Sequence, residues 1–296
     1  MNIIKYKNWF FALSLALIIP GIIAFGVFGV KLGIDFSGGT LWEVKISEAD
    51  NGLNSQDFQK FLNQEGAEVS SASLTLDKSI LVRMRVTDEN KINQIREKVT
   101  KKFGKIEDLR LETVGPAISK ELTYKALLAV GLATIAIVLY VTWSFRMVPQ
   151  PTSSIAFGFC TIFALVHDIL IVVGIFAILG RFFNIEVDTL FITALLTVIG
   201  FSVHDTIVVF DRIRENLKKH KDLAFESVIN NSLLETMARS LNTSITAIFV
   251  LTALLLFGGA TIKIFILALL IGIISGTYSS IFIAAPLLVI WNKIFK

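Results

Sequence analysis

Residues Ser153 to Leu179 read SSIAFGFCTIFALVHDILIVVGIFAIL, an apolar run interrupted by one adjacent pair of titrating side chains, His167 and Asp168. A run of about 18 or more such residues is long enough to cross the hydrocarbon core of a bilayer as a helix. Lipid offers no partner to a peptide N–H or C=O, so the segment must close its hydrogen bonds within itself. The alternating pattern of a membrane barrel strand is not present. Five further runs share this character: Trp9 to Val30, Ala126 to Phe145, Val187 to Phe210, Leu241 to Phe257 (the shortest) and Ile264 to Ile290. The expected fold class is a polytopic α-helical membrane protein with six transmembrane helices.

Composition points the same way. Of 296 residues, 54% are hydrophobic and 18% charged, against about 25% charged in soluble domains. Cys160 is the only cysteine and lies inside an apolar run, which excludes a disulfide framework or a cysteine metal cluster within one chain. The net charge of +4 does not indicate nucleic acid, because the basic residues gather at the ends of apolar runs and no basic aromatic groove pattern occurs. They set orientation instead. Lys5, Lys7, Arg146, Arg212, Arg214, Lys218, Lys219, Lys221, Arg239, Lys293 and Lys296 fall in the tails and in the second and fourth connections. The third and fifth connections hold only Arg181 and Lys263. By the positive-inside rule both termini are expected in the cytoplasm of a cell inner (plasma) membrane. The expected divisions are 1–30, the tail and first helix; 31–123, an extracytoplasmic or periplasmic domain; and 124–296, the remaining helices with a cytoplasmic loop 211–240. The first run exceeds the 7 to 15 apolar residues of a cleaved signal peptide, so a retained anchor is favoured.

Between the first two runs the periodicity changes. Strands are expected at Thr40 to Ile46, Glu68 to Leu76, Ile80 to Val86 and Ile106 to Thr113, with helices at Ser55 to Gln64 and Glu89 to Phe103. The order βαββαβ is that of an α+β ferredoxin-like domain, carrying no catalytic constellation. It is either a spacer or a surface that touches a polypeptide or partner.

Ionisable groups within a bilayer are costly unless paired, which makes each a functional candidate. They are few here: His167 and Asp168 in the third run, His204 and Asp205 in the fourth, each in the sequence Val-His-Asp. At about 1.5 Å per residue, Asp168 lies near the midplane and Asp205 roughly 9 Å inside the cytoplasmic boundary. Arg239, just before the fifth run, is expected at the depth of Asp205 and within pairing reach. Burial raises a carboxyl's pKa and an arginine lowers it, so a carboxyl between the two influences can take up and release a proton as its partner moves. The alternative is a static ion pair that fixes helix packing. For His167, Asp168, His204 and the neighbouring Thr206, polar packing and an accessory role weigh equally. Gly272, Gly276 and Ser280 form a small-residue face suited to close helix contact. Leu223 to Met237 has the pattern of an interfacial amphipathic helix or a solvated connector.

Three segments resemble the SecD/SecF family: Gly33-Ile-Asp35-Phe-Ser-Gly38-Gly39-Thr40, the stretch Gly200 to Asn216 containing Asp205, Asp211 and Arg212, and Glu235 to Ser244. The second is closer to the SecF branch than to the SecD branch. The resemblance covers essentially the whole chain. It implies membership of the resistance-nodulation-division superfamily and a heteromer with SecD. It further implies association with the SecY/SecE/SecG channel complex and with YidC and YajC, contact with translocating preprotein and membrane lipids, and no nucleic acid. The implied function is promotion of late-stage export by the proton-motive force, without an ATPase site or cofactor of its own beyond the proton gradient. The family's proton-relay aspartate and arginine match Asp205 and Arg239. Where the family commonly carries asparagine before that aspartate, this chain has His204. Two rival readings are half of a proton-coupled small-molecule transporter and an intramembrane aspartyl protease using Asp168 and Asp205. No Gly-x-x-x-x-Gly-Lys-Ser/Thr loop occurs.

Overall fold

The computed structural model describes residues 2–46, 55–75 and 79–295. In chain order the elements are α1 (Lys7–Phe28), the single turn α2 (Ile34–Ser37), β1 (Gly39–Ile46), α3 (Ser55–Gln64), β2 (Val69–Leu74), β3 (Ile80–Met84), α4 (Glu89–Phe103) and β4 (Ile106–Val114). There follow α5 (Pro116–Ser144), α6 (Ser154–Phe183), α7 (Thr189–Lys219), α8 (Phe225–Phe257), α9 (Lys263–Ser279) and α10 (Ala285–Ile294). A π-helical turn, Ser280–Ala284, joins α9 to α10, so six helical segments are long and apolar enough to cross a membrane. The chain divides into two compact units, Leu32–Ala126 and the remainder.

In the smaller unit the antiparallel sheet has the order β2-β3-β1-β4, as a ferredoxin-like βαββαβ chain requires. Alternation along β1 and β3 turns Trp42, Val44, Ile80, Val82 and Met84 to one face, where they bury Phe58 and Leu62 of α3 and Ile92, Ile95 and Val99 of α4. Asp88 caps α4 by accepting from Asn90 N at 2.9 Å. The expected second strand ends at Leu74, and Leu76 lies outside the described residues. At the entrance to this unit the glycine pair has a specific cause. Gly39 has φ +122°, and a Cβ there would stand 2.5 Å from the Met84 carbonyl oxygen. The sequence did not anticipate the turn α2, which places Asp35 at its start.

In the membrane unit, half of the most apolar window of α6 and of α7 is buried within the chain, against 6% for α5 and 11% for α8. The inner helices are therefore α6, α7 and α9, and small residues let them approach. Gly174 on α6 meets Gly21 on α1, where an added Cβ would lie 3.0 Å or less from backbone. On α9, Gly272 faces Val198 and Gly276 faces Ser202, both on α7. The small-residue face of the sixth span thus packs inside the chain.

Two expectations need correction. The connection 211–240 is mostly not loop: α7 continues to Lys219 and α8 begins at Phe225. Leu223 to Met237 is not an interfacial helix either. Val228, Ile229 and Leu233 are buried in the same core as Phe210, Ile213, Ile3 and Ile4, so their apolar stripe is consumed by protein rather than lipid. Ile3 N donates to Asn230 Oδ1 at 2.8 Å, which ties the amino-terminal turn to α8.

Candidate functional site

The buried face of α7 carries Ser202, Asp205, Thr206 and Val209, positions three or four apart that a helix stacks on one side. Asp205 is 3% exposed, and its Oδ2 has no hydrogen-bond partner among the described residues. Beside it stands Ser244 of α8, whose hydroxyl is 2.6 Å from Thr277 Oγ1 on α9. Ser240, one turn earlier on α8, also has a buried hydroxyl without a partner among the described residues. Thr206 Oγ1 donates to the Ser202 carbonyl at 3.0 Å. That is a local helix bond, not a contact with Asp205. His204, the position before Asp205 on α7, is exposed and turned about 100° from it.

Arg239 is not paired with Asp205. Among the described residues no ion pair joins them, and Arg239 is exposed. The reason is helical phase: Thr236, Ser240 and Ser244 form the buried stripe of α8, and a neighbouring position is turned about 100° away. Arg239 instead lines a pocket of about 390 Å³ with Val208, Asp211, Arg212, Glu215, Glu235 and Thr236. Within it Arg212 bridges Glu235 of α8 and, at 2.7 Å, Glu215 of α7. Asn216 Nδ2 donates to Glu235 Oε2 at 2.9 Å, and Arg214 pairs with Asp211. The pocket opens one turn of α7 from Asp205, since Val208 is part of its wall.

Asp168 of α6 is the centre of a second cluster and is 1% exposed. Its Oδ2 accepts from Ser202 Oγ at 2.6 Å and Ser279 Oγ at 2.7 Å; its Oδ1 accepts from Ser275 Oγ at 2.7 Å. His167 Nδ1 lies 2.9 Å from Oδ1, and His167 Nε2 lies 2.9 Å from Ser14 Oγ on α1. Three helices, α6, α7 and α9, meet at this carboxylate, and α1 joins through His167. No hydrogen bond joins Asp168 to Asp205, so the shared-proton dyad of an aspartyl protease is not formed. No group of three His, Cys, Asp or Glu side chains that could hold a metal occurs among the described residues.

Sequence reasoning singled out the carboxylates but missed Ser14, Ser202, Ser244, Ser275, Thr277 and Ser279. A signal was available: Ser275 and Ser279 are four apart in an apolar run, beside the glycines of the small-residue face. Of the motif residues, Gly33, Asp35, Gly38 and Gly39 belong to the smaller unit, whereas Asp211 and Arg212 line the pocket beside Arg239 in the membrane unit.

Comparison with known proteins adds the family. The profile described as "Protein export membrane protein SecD/SecF, C-terminal" matches residues 94–294, and the SecD/SecF GG motif matches residues 23–49. The protein translocase subunit SecF of Thermobaculum terrenum is 47% identical, covering 100% of this chain and 95% of its own. That of Anaerolinea thermophila is 42% identical over 99% and 94%. The protein translocase subunit SecDF of Bacillus subtilis is 36% identical over 97% of this chain, which spans 37% of that longer protein. The crystal structure of SecDF from Thermus thermophilus, a translocon-associated membrane protein, superposes with a TM-score of 0.85 at 32% identity. It covers 99% of this chain, which spans 39% of that one.

Proposed function

The chain belongs to the SecD/SecF family of protein export membrane proteins, and from that premise we propose that it works as the SecF-type accessory subunit of the Sec translocase. It partners SecD and assists export through the SecY/SecE/SecG channel, with YidC and YajC as further associates. It lies in the cell inner membrane with both termini cytoplasmic and the unit Leu32–Ala126 outside. The names of the relatives weigh against the small-molecule transporter reading.

We take the coupling ion to be the proton and its carrier to be Asp205. One observation carries this: a carboxylate oxygen, buried and without a partner among the described residues, stands one turn from a charged pocket that holds Arg239. A buried acceptor left without a donor is unfavourable, and a proton relieves it. Arg239 supplies the mobile counter-charge, since it is not held by any ion pair among the described residues. A proton crossing about 200 mV releases roughly 4.6 kcal/mol, enough to invert a two-state equilibrium when the states differ in proton affinity.

Asp205→Asn and Arg239→Met should each sharply reduce late-stage export in membrane vesicles while the protein accumulates normally. Wild-type export in both variants would end the relay reading. Co-purification of SecD and the SecY complex with the chain tests the partners separately.

A further inference from the structure

Asp168 poses a charge-balance question that the Asp205 relay leaves unanswered. It sits midway along α6, is 1% exposed, and no lysine or arginine pairs with it among the described residues. An isolated negative charge at that depth is strongly disfavoured. Its partners are the hydroxyls of Ser202, Ser275 and Ser279 and the imidazole of His167. Of these, His167 alone can carry a compensating positive charge.

The hydrogen bonds say where a proton would reside. An ionised carboxylate offers about four acceptor positions. Three hydroxyls and the His167 Nδ1–H take them all, so protonating Asp168 would displace a donor. Protonating His167 displaces nothing. Its Nε2 lies 2.9 Å from Ser14 Oγ; a hydroxyl donates to a neutral imidazole and, after rotating, accepts from an imidazolium. Both protonation states keep a complete set of bonds.

The cluster is also joined mechanically to Asp205. Ser202, which donates to Asp168, precedes Asp205 by one turn of α7 and is pressed against Gly276 of α9, where an added Cβ would lie 2.9 Å from Ser202 Cβ. We propose that His167 and Asp168 form a second protonation site of the coupling machinery, with the exchangeable proton on His167 Nε2 and the link to Asp205 running through Ser202. This rests on the proton-coupling reading above.

The surroundings of His167 contain few competing groups. From α9, Tyr278 places its ring 6.1 Å from the imidazole and donates its hydroxyl to Phe10 O at 2.8 Å. From α1 the polar contact is Ser14. From α6 it is Asp168, and α7 contributes Ser202, with Asp205 beyond it. His204 faces away from the cluster.

The chain has three histidines, so nitrogen-15 labelling confined to histidine, in the complex with SecD in lipid discs, resolves His167. Substitution assigns the signals. Between pH 5 and 9 the His167 signal should pass from imidazolium to neutral imidazole, with a midpoint that moves by about half a pH unit or more in Asp205→Asn. His167→Gln, which keeps a donor and an acceptor but cannot titrate, should lose most gradient-driven export. The inference is overturned by a single protonation state across the range, by a midpoint indifferent to Asp205→Asn, or by wild-type export in His167→Gln. If His167→Gln does not accumulate, the titration of the unmodified chain decides alone. Asp205→Asn in the same export assay keeps the two claims apart. Should it be inactive while His167 fails its test, only the second site falls; should it export normally, the relay itself falls.

Discussion

At the scale of single residues, the site separates two buried aspartates by their hydrogen bonds. Asp168 is saturated with donors from α7, α9 and its neighbour His167, whereas Asp205 keeps an oxygen without a partner among the described residues. Saturation suits a fixed charge, and incomplete pairing suits a group that gains and loses a proton. Glycine acts at this scale too. Gly276→Leu drives a side chain into Ser202 and should cost about 1 to 3 kcal/mol by overpacking. It should also pull Ser202 from Asp168. Thermal denaturation followed by gel filtration measures the first effect, and the His167 signal reports the second. Gly39→Val, at φ +122° and against the Met84 carbonyl, should destabilise the smaller unit by about 1 to 3 kcal/mol, seen as faster proteolysis of that unit.

Among elements, the facing ends of α7 and α8 are the least expected feature. Residues 211–219 and 225–240 extend α7 and α8 as a hairpin whose inner face, Ile213, Leu217, Val228, Ile229 and Leu233, closes on Ile3 and Ile4. Arg212, Glu235 and Asn216 tie its two arms together beside the pocket. The inner apolar contacts should dominate over the surface pairs. Leu233→Asp buries an unpaired charge and should cost more than about 4 kcal/mol, abolishing accumulation. Glu226→Gln removes a pair with Lys293 in which both partners are about half exposed, and it should cost less than about 1 kcal/mol. Expression levels and melting temperatures of the two variants check the contrast.

For the whole molecule, the membrane unit combines a closely packed group, α6, α7 and α9, with α1, α5 and α8, whose most apolar windows bury little within the chain. These peripheral helices leave most of their apolar surface uncovered within the chain. If the proton gradient drives the cycle, an uncoupler should reduce wild-type export to the level of Asp205→Asn and leave that variant unchanged. A further fall in the variant on adding uncoupler would show that the gradient enters by another route.

The sequence by itself determined the six spans, the βαββαβ order and the identity of the two buried aspartates. These follow from local composition: a long apolar run has no option in lipid but a helix, and a charge within it stands out wherever the helix lies. Only the tertiary structure decided the partners. The rotation of each helix about its axis turned Ser240 and Ser244 rather than Arg239 toward α7. Close glycine contacts between α7 and α9 brought Ser202, Ser275 and Ser279 to Asp168 from distant parts of the chain. Helical phase and interhelical distance are set by how side chains of several helices pack together, a property that no single segment carries.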